Sequence, residues 1–214
     1  ANAYLAEGDP VMVVGPTFGE YAAAALAMGS RVYRWDALPE SDFLPSVDEI
    51  ARLIRETSPK LLFLCNPNNP TGRYLRLEEV RAILESWEEG ILVLDEAYIS
   101  FVEESWSSVP FVAGGRVIIM RSLTKDCALA GIRVGYVIAT EEVTEALGKI
   151  QPPWSVNALA QAAARVALEC RDHVEKCLEK LRRARDYLIR SFSDLGFKVV
   201  PPAAHYFMVE VGDA

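Results

Sequence analysis

Residues 61–72 read LLFLCNPNNPTG, and this stretch decides the fold. Leu61–Cys65 is a short run without polar alternation, which is typical of a strand buried on both faces. Asn66–Gly72 then combines Asn-Pro and Pro-Thr-Gly, which are turn-forming sequences. A buried strand that ends in such a loop predicts one repeat of a parallel sheet with helical crossovers.

The same alternation of buried strands and connecting segments extends in both directions from this stretch. Further strands are predicted at Val11–Val14, Arg31–Arg34, Ile91–Leu94, Val117–Arg121 and Gly135–Ala139. Between them lie amphipathic helices: Ser46 and Glu49 form a capping box that starts one helix, and Pro59 stops it. A second helix has Leu77, Val80, Ile83, Leu84 and Trp87 on one face. The predicted fold class is α/β, a mostly parallel sheet flanked by helices.

Beyond Pro152-Pro153 the pattern changes to one helix after another. One apolar stripe comprises Val156, Leu159, Ala160, Ala163, Val166 and Ala167, and a second comprises Val174, Cys177, Leu178, Leu181, Leu188, Phe192 and Leu195. Phe197–Val200 and Tyr206–Val211 predict a strand pair. We therefore expect a large domain at residues 1–170, and at residues 171–214 a connecting helix and the start of a smaller α/β domain.

Composition narrows the class of partner. The chain has 214 residues, of which 51% are hydrophobic and 24% charged, as in an ordinary folded domain. A net charge of −8 and a pI near 4.9 argue against binding to nucleic acid or anionic membranes. No stretch has the length of a membrane span or the pattern of a leader. The four cysteines lack metal-site spacing. We expect a cytoplasmic protein with reduced thiols, no metal and a small-molecule partner.

Chemistry-bearing residues follow the predicted strands where each strand ends. They are Phe18 after the first strand, Asn69 after the third, Asp95 and Tyr98 after the fourth, and Ser122, Thr124 and Lys125 after the fifth. In open parallel sheets the binding crevice lies beyond the carboxyl ends of the strands. Each residue alone has an ordinary interpretation as a turn, a helix cap or a surface charge. Their occurrence in order along one sheet edge favours a site.

Four motifs give this chain a resemblance to a known family. They are Asn66–Gly72, Asp95–Tyr98, Ser122–Lys125 and Ala130–Tyr136. In this order and spacing they resemble the class I/II aminotransferases, the fold-type-I enzymes that depend on pyridoxal 5'-phosphate (PLP). Within that family the chain is most similar to histidinol-phosphate aminotransferases and threonine-phosphate decarboxylases. The resemblance spans the whole chain, so residues 1–170 are expected to be a PLP-binding large domain that lacks its N-terminal part.

The resemblance implies a role for each motif residue. Lys125 would be the catalytic lysine that forms the Schiff base with PLP, and Asp95 would keep the pyridine nitrogen protonated. Phe18 matches the aromatic residue that stacks on the PLP ring. Asn69 and Tyr98 match the residues that hydrogen-bond its phenolic oxygen. The matches to the phosphate ligands are Ser122, Arg133 and, more weakly, Thr124. His205 stands where relatives often have Asn, and is a second-tier candidate.

The implied reaction is transfer of an amino group between a small, phosphorylated amino compound such as histidinol phosphate and a 2-oxo acid. The full-length enzyme would be a homodimer. Threonine-phosphate decarboxylase and a non-catalytic PLP-fold binding domain remain alternatives. The family's phosphate-binding helix N-terminus would lie upstream of Ala1, and its carboxylate-binding arginine would lie beyond Ala214. We therefore expect this chain to be a piece of a longer protein, and its activity alone is in doubt.

Overall fold

A six-stranded sheet forms the centre of the molecule in a computed structural model that describes residues 1–212. Its strands are β1 (Pro10–Gly15), β2 (Arg31–Asp36), β3 (Leu61–Cys65), β4 (Ile91–Asp95), β5 (Val117–Ser122) and β6 (Gly135–Ile138). Their order is β2-β1-β3-β4-β5-β6; the first five are parallel, and β6 runs antiparallel to β5. The mostly parallel sheet predicted from the sequence is confirmed, with bounds that shift by one or two residues.

Helices connect and flank these strands. They are α1 (Glu20–Leu26), α2 (Val47–Thr57), α3 (Leu77–Glu85), α4 (Glu141–Ile150), α5 (Ala158–Glu169) and α6 (Arg171–Asp194). Short 3₁₀ turns occupy Pro39–Ser41, Ile99–Phe101, Val109–Gly114 and Ala130–Ile132. Half of the capping box predicted for α2 is present: the Glu49 N–H donates to Ser46 Oγ at 3.4 Å, whereas the Glu49 carboxylate accepts from Trp35 Nε1 at 2.9 Å. Local capping chemistry therefore sets the start of this helix.

Apolar residues cover both faces of the sheet. On one face α2 and α3 pack against the strands, with Ile50, Ile54, Leu62, Val80, Ile83 and Leu92 almost fully buried. On the other face α1 packs through Tyr21 and Ala25 against Val11, Val13, Leu61 and Phe63. Alternate residues of one strand thus serve opposite faces, which explains why the strands read as continuous apolar runs.

The region after residue 150 differs from its prediction. The two helices are present as α5 and α6, but their stripes are not a buried core: Ala160 is the fully buried member, whereas Leu159, Val166, Leu181 and Leu188 are exposed. The predicted strand pair is also shorter, and consists of β7 (Lys198–Val199) and β8 (Val209–Glu210) in a separate antiparallel sheet. These helices pack less because few described elements lie against their apolar faces. The domain division at residue 170 stays a prediction.

Residues 201–206 return to the central sheet and pack against the loop after β3. Ala203 N–H donates to the Gly72 carbonyl at 2.7 Å, and Tyr206 Oη donates to the Asn68 carbonyl at 3.1 Å. A Cβ atom at Gly72 would lie 2.8 Å from Pro202 Cβ. Because Gly72 has a φ of +70°, only glycine combines this conformation with this close approach. The turn predicted at Asn66–Gly72 therefore also serves as a docking point.

No helix within residues 1–212 has both the length and the apolar character needed to cross a membrane.

Candidate active site

A small cleft of about 100 Å³ opens beside the carboxyl ends of the central strands. Its lining residues are Phe18, Tyr21, Cys65, Asn69, Asp95, Ala97, Tyr98 and Lys125. Five of the eight residues singled out in the sequence therefore line one cleft. They come from segments that follow β1, β3, β4 and β5, which the strand order makes neighbours. Parallel strands place these loops on the same edge of the sheet.

Asp95 is held in place on both of its carboxylate oxygens. As the last residue of β4 it lies between Cys65 of β3 and Met120 of β5, and it is 9% exposed. Its Oδ1 accepts from the Ala97 N–H at 2.8 Å, and its Oδ2 accepts from Tyr21 Oη at 2.7 Å. Hydrogen bonds to both oxygens determine the orientation of the carboxylate. The cleft thus contains a carboxylate of defined orientation.

Tyr21 is a cleft residue that the sequence analysis did not single out. Its ring stacks on Phe63 with centroids 5.3 Å apart and an interplanar angle of 8°, and meets Phe18 edge-on at 5.7 Å. Burial, together with Cys65 and Asp95, raises the pKa of Tyr21 above its usual range. The available signal was its position three residues after Phe18, about one helical turn further along the chain.

Cys65 lies behind the same carboxylate. Its thiol donates to the Pro67 carbonyl at 3.3 Å. Burial, followed by the charge of Asp95, raises the pKa of this thiol to about 12. Since the thiolate is the nucleophilic form, Cys65 is a packing residue of the cleft and not a reactive one.

Lys125 provides the amine of the cleft. It follows β5, its side chain is exposed, and Nζ lies 5.4 Å from the centroid of the Tyr98 ring. The next residue, Asp126, accepts from Ser100 Oγ at 2.6 Å and from the Cys127 N–H at 2.9 Å. These bonds tie the lysine loop to the turn after β4. The amine and the Asp95 carboxylate therefore line the same cleft from adjacent strands.

The three residues predicted to bind phosphate do not line this cleft. Ser122 Oγ and Thr124 Oγ1 lie 2.7 Å apart and share a hydrogen bond. Arg133 is exposed, and its guanidinium donates to the Ala130 carbonyl at 3.0 Å. Ser122 is the last residue of β5, Thr124 follows that strand, and Arg133 lies just before β6. Their role in binding phosphate stays a prediction.

His205 lies outside the cleft, next to its aromatic wall. Its ring centroid is 3.9 Å from that of Phe101 and 5.9 Å from that of Tyr98. Burial lowers the pKa of His205, and the charge of Lys125 lowers it further. Its Nδ1 is buried and has no hydrogen-bond partner among the described residues. The structure thus places His205 near Lys125 without a direct role in the cleft.

A larger groove of about 810 Å³ lies elsewhere, between the loop before α3 and the middle of α6. Two of its arginines are already bonded: Arg73 donates to the carbonyls of Asp42 and Pro201, and Arg185 pairs with Glu103 and Asp186. Arginine donors that already have partners within the chain add little binding energy for a ligand. Within residues 1–212 no group of three or more His, Cys, Asp or Glu residues is placed to hold a metal ion. The small cleft is the stronger candidate.

Comparisons with known proteins show the family and the fold of the chain. The protein-family model described as "Aminotransferase class I and II" matches residues 1–214. A histidinol-phosphate aminotransferase of Moorella thermoacetica is 38% identical over 216 residues, which cover 99% of this chain and 55% of that protein. A histidinol-phosphate aminotransferase of Sinorhizobium meliloti, solved in complex with pyridoxal-5'-phosphate, superposes with a TM-score of 0.91 at 25% identity over 99% of this chain and 58% of its own.

A third relative carries out a different reaction. The L-threonine-O-3-phosphate decarboxylase of Porphyromonas gingivalis superposes with a TM-score of 0.82 at 25% identity, over 97% of this chain and 61% of that protein. The chain spans less than two thirds of the length of each of these three relatives.

Proposed function

The chain belongs to the class I and II aminotransferase family, and from that premise we propose that it is the central part of a PLP-dependent aminotransferase. Its reaction would transfer an amino group between a small phosphorylated amino compound, such as histidinol phosphate, and a 2-oxo acid. The observation that carries the proposal is that the Lys125 amine and the buried Asp95 carboxylate line one cleft, beside the exposed ring of Phe18.

These residues fit the chemistry of PLP. When bound, PLP supplies an electron sink that stabilises negative charge on the carbon that bears the amino group. Lys125 contributes the primary amine that an aldehyde requires, and no other lysine lines this cleft. Asp95 contributes a carboxylate whose orientation is already set by two donors, so it can hold a proton on a pyridine nitrogen.

The remaining residues orient the cofactor and its neighbours. The Phe18 ring is 48% exposed and offers its free face to an aromatic ring. Asn69 and Tyr98 supply an amide and a phenol as donors to an anionic oxygen. We assign phosphate binding to Ser122, Thr124 and Arg133; the Arg133 guanidinium donates from Nη1 to the Ala130 carbonyl and has further N–H donors for phosphate oxygens. Lys125 is also the group that would move a proton at the carbon that bears the amino group.

The substrate is proposed from the relatives. Histidinol-phosphate aminotransferases supply both the sequence match and the structural match described above, which favours transamination of histidinol phosphate. The similarity to a threonine-phosphate decarboxylase supports loss of carbon dioxide as the second candidate. Which bond of the substrate is broken depends on its orientation above the cofactor. Assays of histidinol phosphate with 2-oxoglutarate and of threonine phosphate alone separate the two reactions.

We also propose that the complete protein is a cytoplasmic homodimer. The support is the apolar surface of α5, where Leu159, Val166 and Leu168 are more than half exposed, and burial against a second copy would remove it from water. Light scattering coupled to size exclusion of the complete gene product tests the dimer, and cell fractionation tests the compartment.

The main test is the substitution Lys125→Ala in the complete gene product. Addition of PLP to the unmodified protein should give a visible absorbance band that borohydride abolishes. Lys125→Ala should lack that band, and its transaminase rate should fall by about 10⁴-fold or more, because no other group can replace the amine. Lys149→Ala, which removes an exposed lysine at the end of α4, is the matched control and should retain both.

Two results would contradict the proposal. A band of normal intensity in Lys125→Ala would mean that another amine binds the cofactor. A normal band that no amino donor converts would favour a binding domain without turnover.

A further inference from the structure

Tyr21 and Asp95 lie 74 positions apart in the chain and form a buried hydrogen bond of 2.7 Å in the cleft. We infer that Tyr21 is a positioning residue for Asp95: its phenol keeps the carboxylate turned towards the place that a pyridine nitrogen would occupy. This inference rests on the proposed function and deepens it. It concerns a contact between two side chains of this chain, so it can be tested without the cofactor.

The two donors to Asp95 differ in kind. The donor to Oδ1 is the backbone N–H of Ala97, which belongs to the turn directly after β4. The donor to Oδ2 is a side chain delivered by a different element, α1. One backbone donor restrains one oxygen but leaves rotation of the carboxylate about its Cβ–Cγ bond possible. The second bond, from Tyr21, removes that freedom.

The phenol is itself held firmly. Tyr21 is 5% exposed, its face is stacked on Phe63, and its edge meets Phe18. Because burial keeps the phenol protonated throughout the neutral range, it can only donate to the charged carboxylate. A hydrogen bond to an ionised acceptor is about twice as strong as a neutral one. Tyr21 therefore connects the ring-covering residue Phe18 with the carboxylate.

This arrangement predicts a specific effect of Tyr21→Phe. Phenylalanine keeps the stack on Phe63 and removes only the hydroxyl, so the fold is retained. Asp95 then loses one of its two donors, and its carboxylate loses a defined orientation. The affinity for PLP should fall by about 10-fold to 100-fold, as expected for one hydrogen bond to a charged group. The pH at which the visible band changes should also shift, since the charge next to the cofactor is no longer fixed.

The first measurement uses the cofactor-free protein and proton NMR. A buried hydroxyl bonded to a carboxylate exchanges slowly with water and should give a resonance at low field, which Tyr21→Phe should lack. Asp95→Asn should move this resonance upfield, because the acceptor is no longer charged. Absence of the resonance, or no movement in Asp95→Asn, would overturn the inference whether or not the protein binds PLP.

The second measurement is a PLP titration monitored by the visible band over a range of pH. Tyr187→Phe, an exposed tyrosine on α6, is the matched control and should bind PLP like the unmodified protein. Unchanged affinity and unchanged pH behaviour in Tyr21→Phe would show a purely structural tyrosine and overturn the inference. If the unmodified protein gives no band at all, the proposed function fails, and the NMR result alone decides whether Tyr21 positions Asp95.

Discussion

The central sheet and the helices α5 and α6 were both predicted from apolar periodicity, yet they differ in burial. In the sheet, Leu62, Leu92 and Leu94 are fully buried. In α5, Leu159 is 78% exposed although it belongs to an equally regular stripe. Periodicity therefore identifies an element and its apolar face. Whether that face is buried depends on a second surface, which a window of sequence does not contain.

The segment that follows α6 contacts the central-sheet region at the loop after β3. Residues 201–206, which follow α6 and β7, bond to the carbonyls of Gly72 and Asn68, and Arg73 Nη1 donates to the Pro201 carbonyl at 3.0 Å. Since Asn69 lies inside this loop and lines the cleft, the contact connects the C-terminal region to the candidate active site. Substitutions in the sheet, in α5 and at this contact can test how much each contributes to the free energy of unfolding.

The largest effect on stability is expected from Leu92→Ala in the sheet. Leu92 is 0% exposed, and its removal leaves a cavity between the sheet and its helices. The free energy of unfolding should fall by about 3 kcal/mol. Leu159→Ala in α5 removes the same atoms from a position that is exposed within one chain, so at concentrations where the chain is monomeric it should change this free energy by less than about 0.5 kcal/mol. Chemical denaturation of both variants measures the difference.

Equal losses of unfolding free energy in the two leucine variants would contradict the difference in burial between the sheet and α5. They would mean that the α5 stripe is buried in solution, against a second copy of the chain or against a segment outside residues 1–212.

A smaller effect is expected at the contact between the regions. Gly72→Ala places a Cβ atom 2.8 Å from Pro202 Cβ, which is a steric clash. The φ of +70° adds backbone strain, because residues other than glycine rarely adopt it. Gly115 has a φ of +72° and open space at its Cβ position. Gly115→Ala should therefore cost about 1 kcal/mol of unfolding free energy from backbone strain alone, and Gly72→Ala about 1 kcal/mol more from the clash.

Thermal denaturation of the two alanine variants gives this difference, and PLP affinity gives the functional readout. If residues 201–206 support the Asn69 loop, Gly72→Ala should also weaken PLP binding. An identical stability loss in both variants would show that the contact contributes nothing.

The smallest effect concerns acid stability and compares the two histidines of the chain. His205 packs among Tyr98, Phe101 and Tyr206 near Lys125, and burial followed by the Lys125 charge lowers its pKa from 6.5. The unfolded state then binds more protons than the folded state, so unfolding free energy is lost as the pH falls from about 6.5 through the lowered value. His205→Asn should reduce this loss.

His173 lies exposed on α6 and serves as the control. His173→Asn should leave the pH dependence between pH 5 and 7, measured by urea denaturation, as it is in the unmodified protein. If the unfolding free energy of His205→Asn depended on pH as it does in the unmodified protein, the assigned environment of His205 would be contradicted.

Much of the site could be predicted because its residues directly follow strands that are easy to recognise. Asn69, Asp95 and Lys125 come soon after runs such as Leu61–Cys65, and a parallel sheet brings such ends together. Tyr21 could not be assigned, since its partner Asp95 lies on β4, two strands away from β1 in the sheet. Its function depends on a distance between elements, whereas its local sequence indicates only a buried aromatic residue.

The sequence by itself determined the six strands of the central sheet, the mostly parallel α/β class and the family, because strand runs and four ordered motifs are local patterns. Only the tertiary structure decided which apolar faces are buried, which phenol meets Asp95 and where residues 201–206 dock. The physical reason is that burial and hydrogen bonding require a second surface at a defined distance. That surface comes from residues far away in the chain.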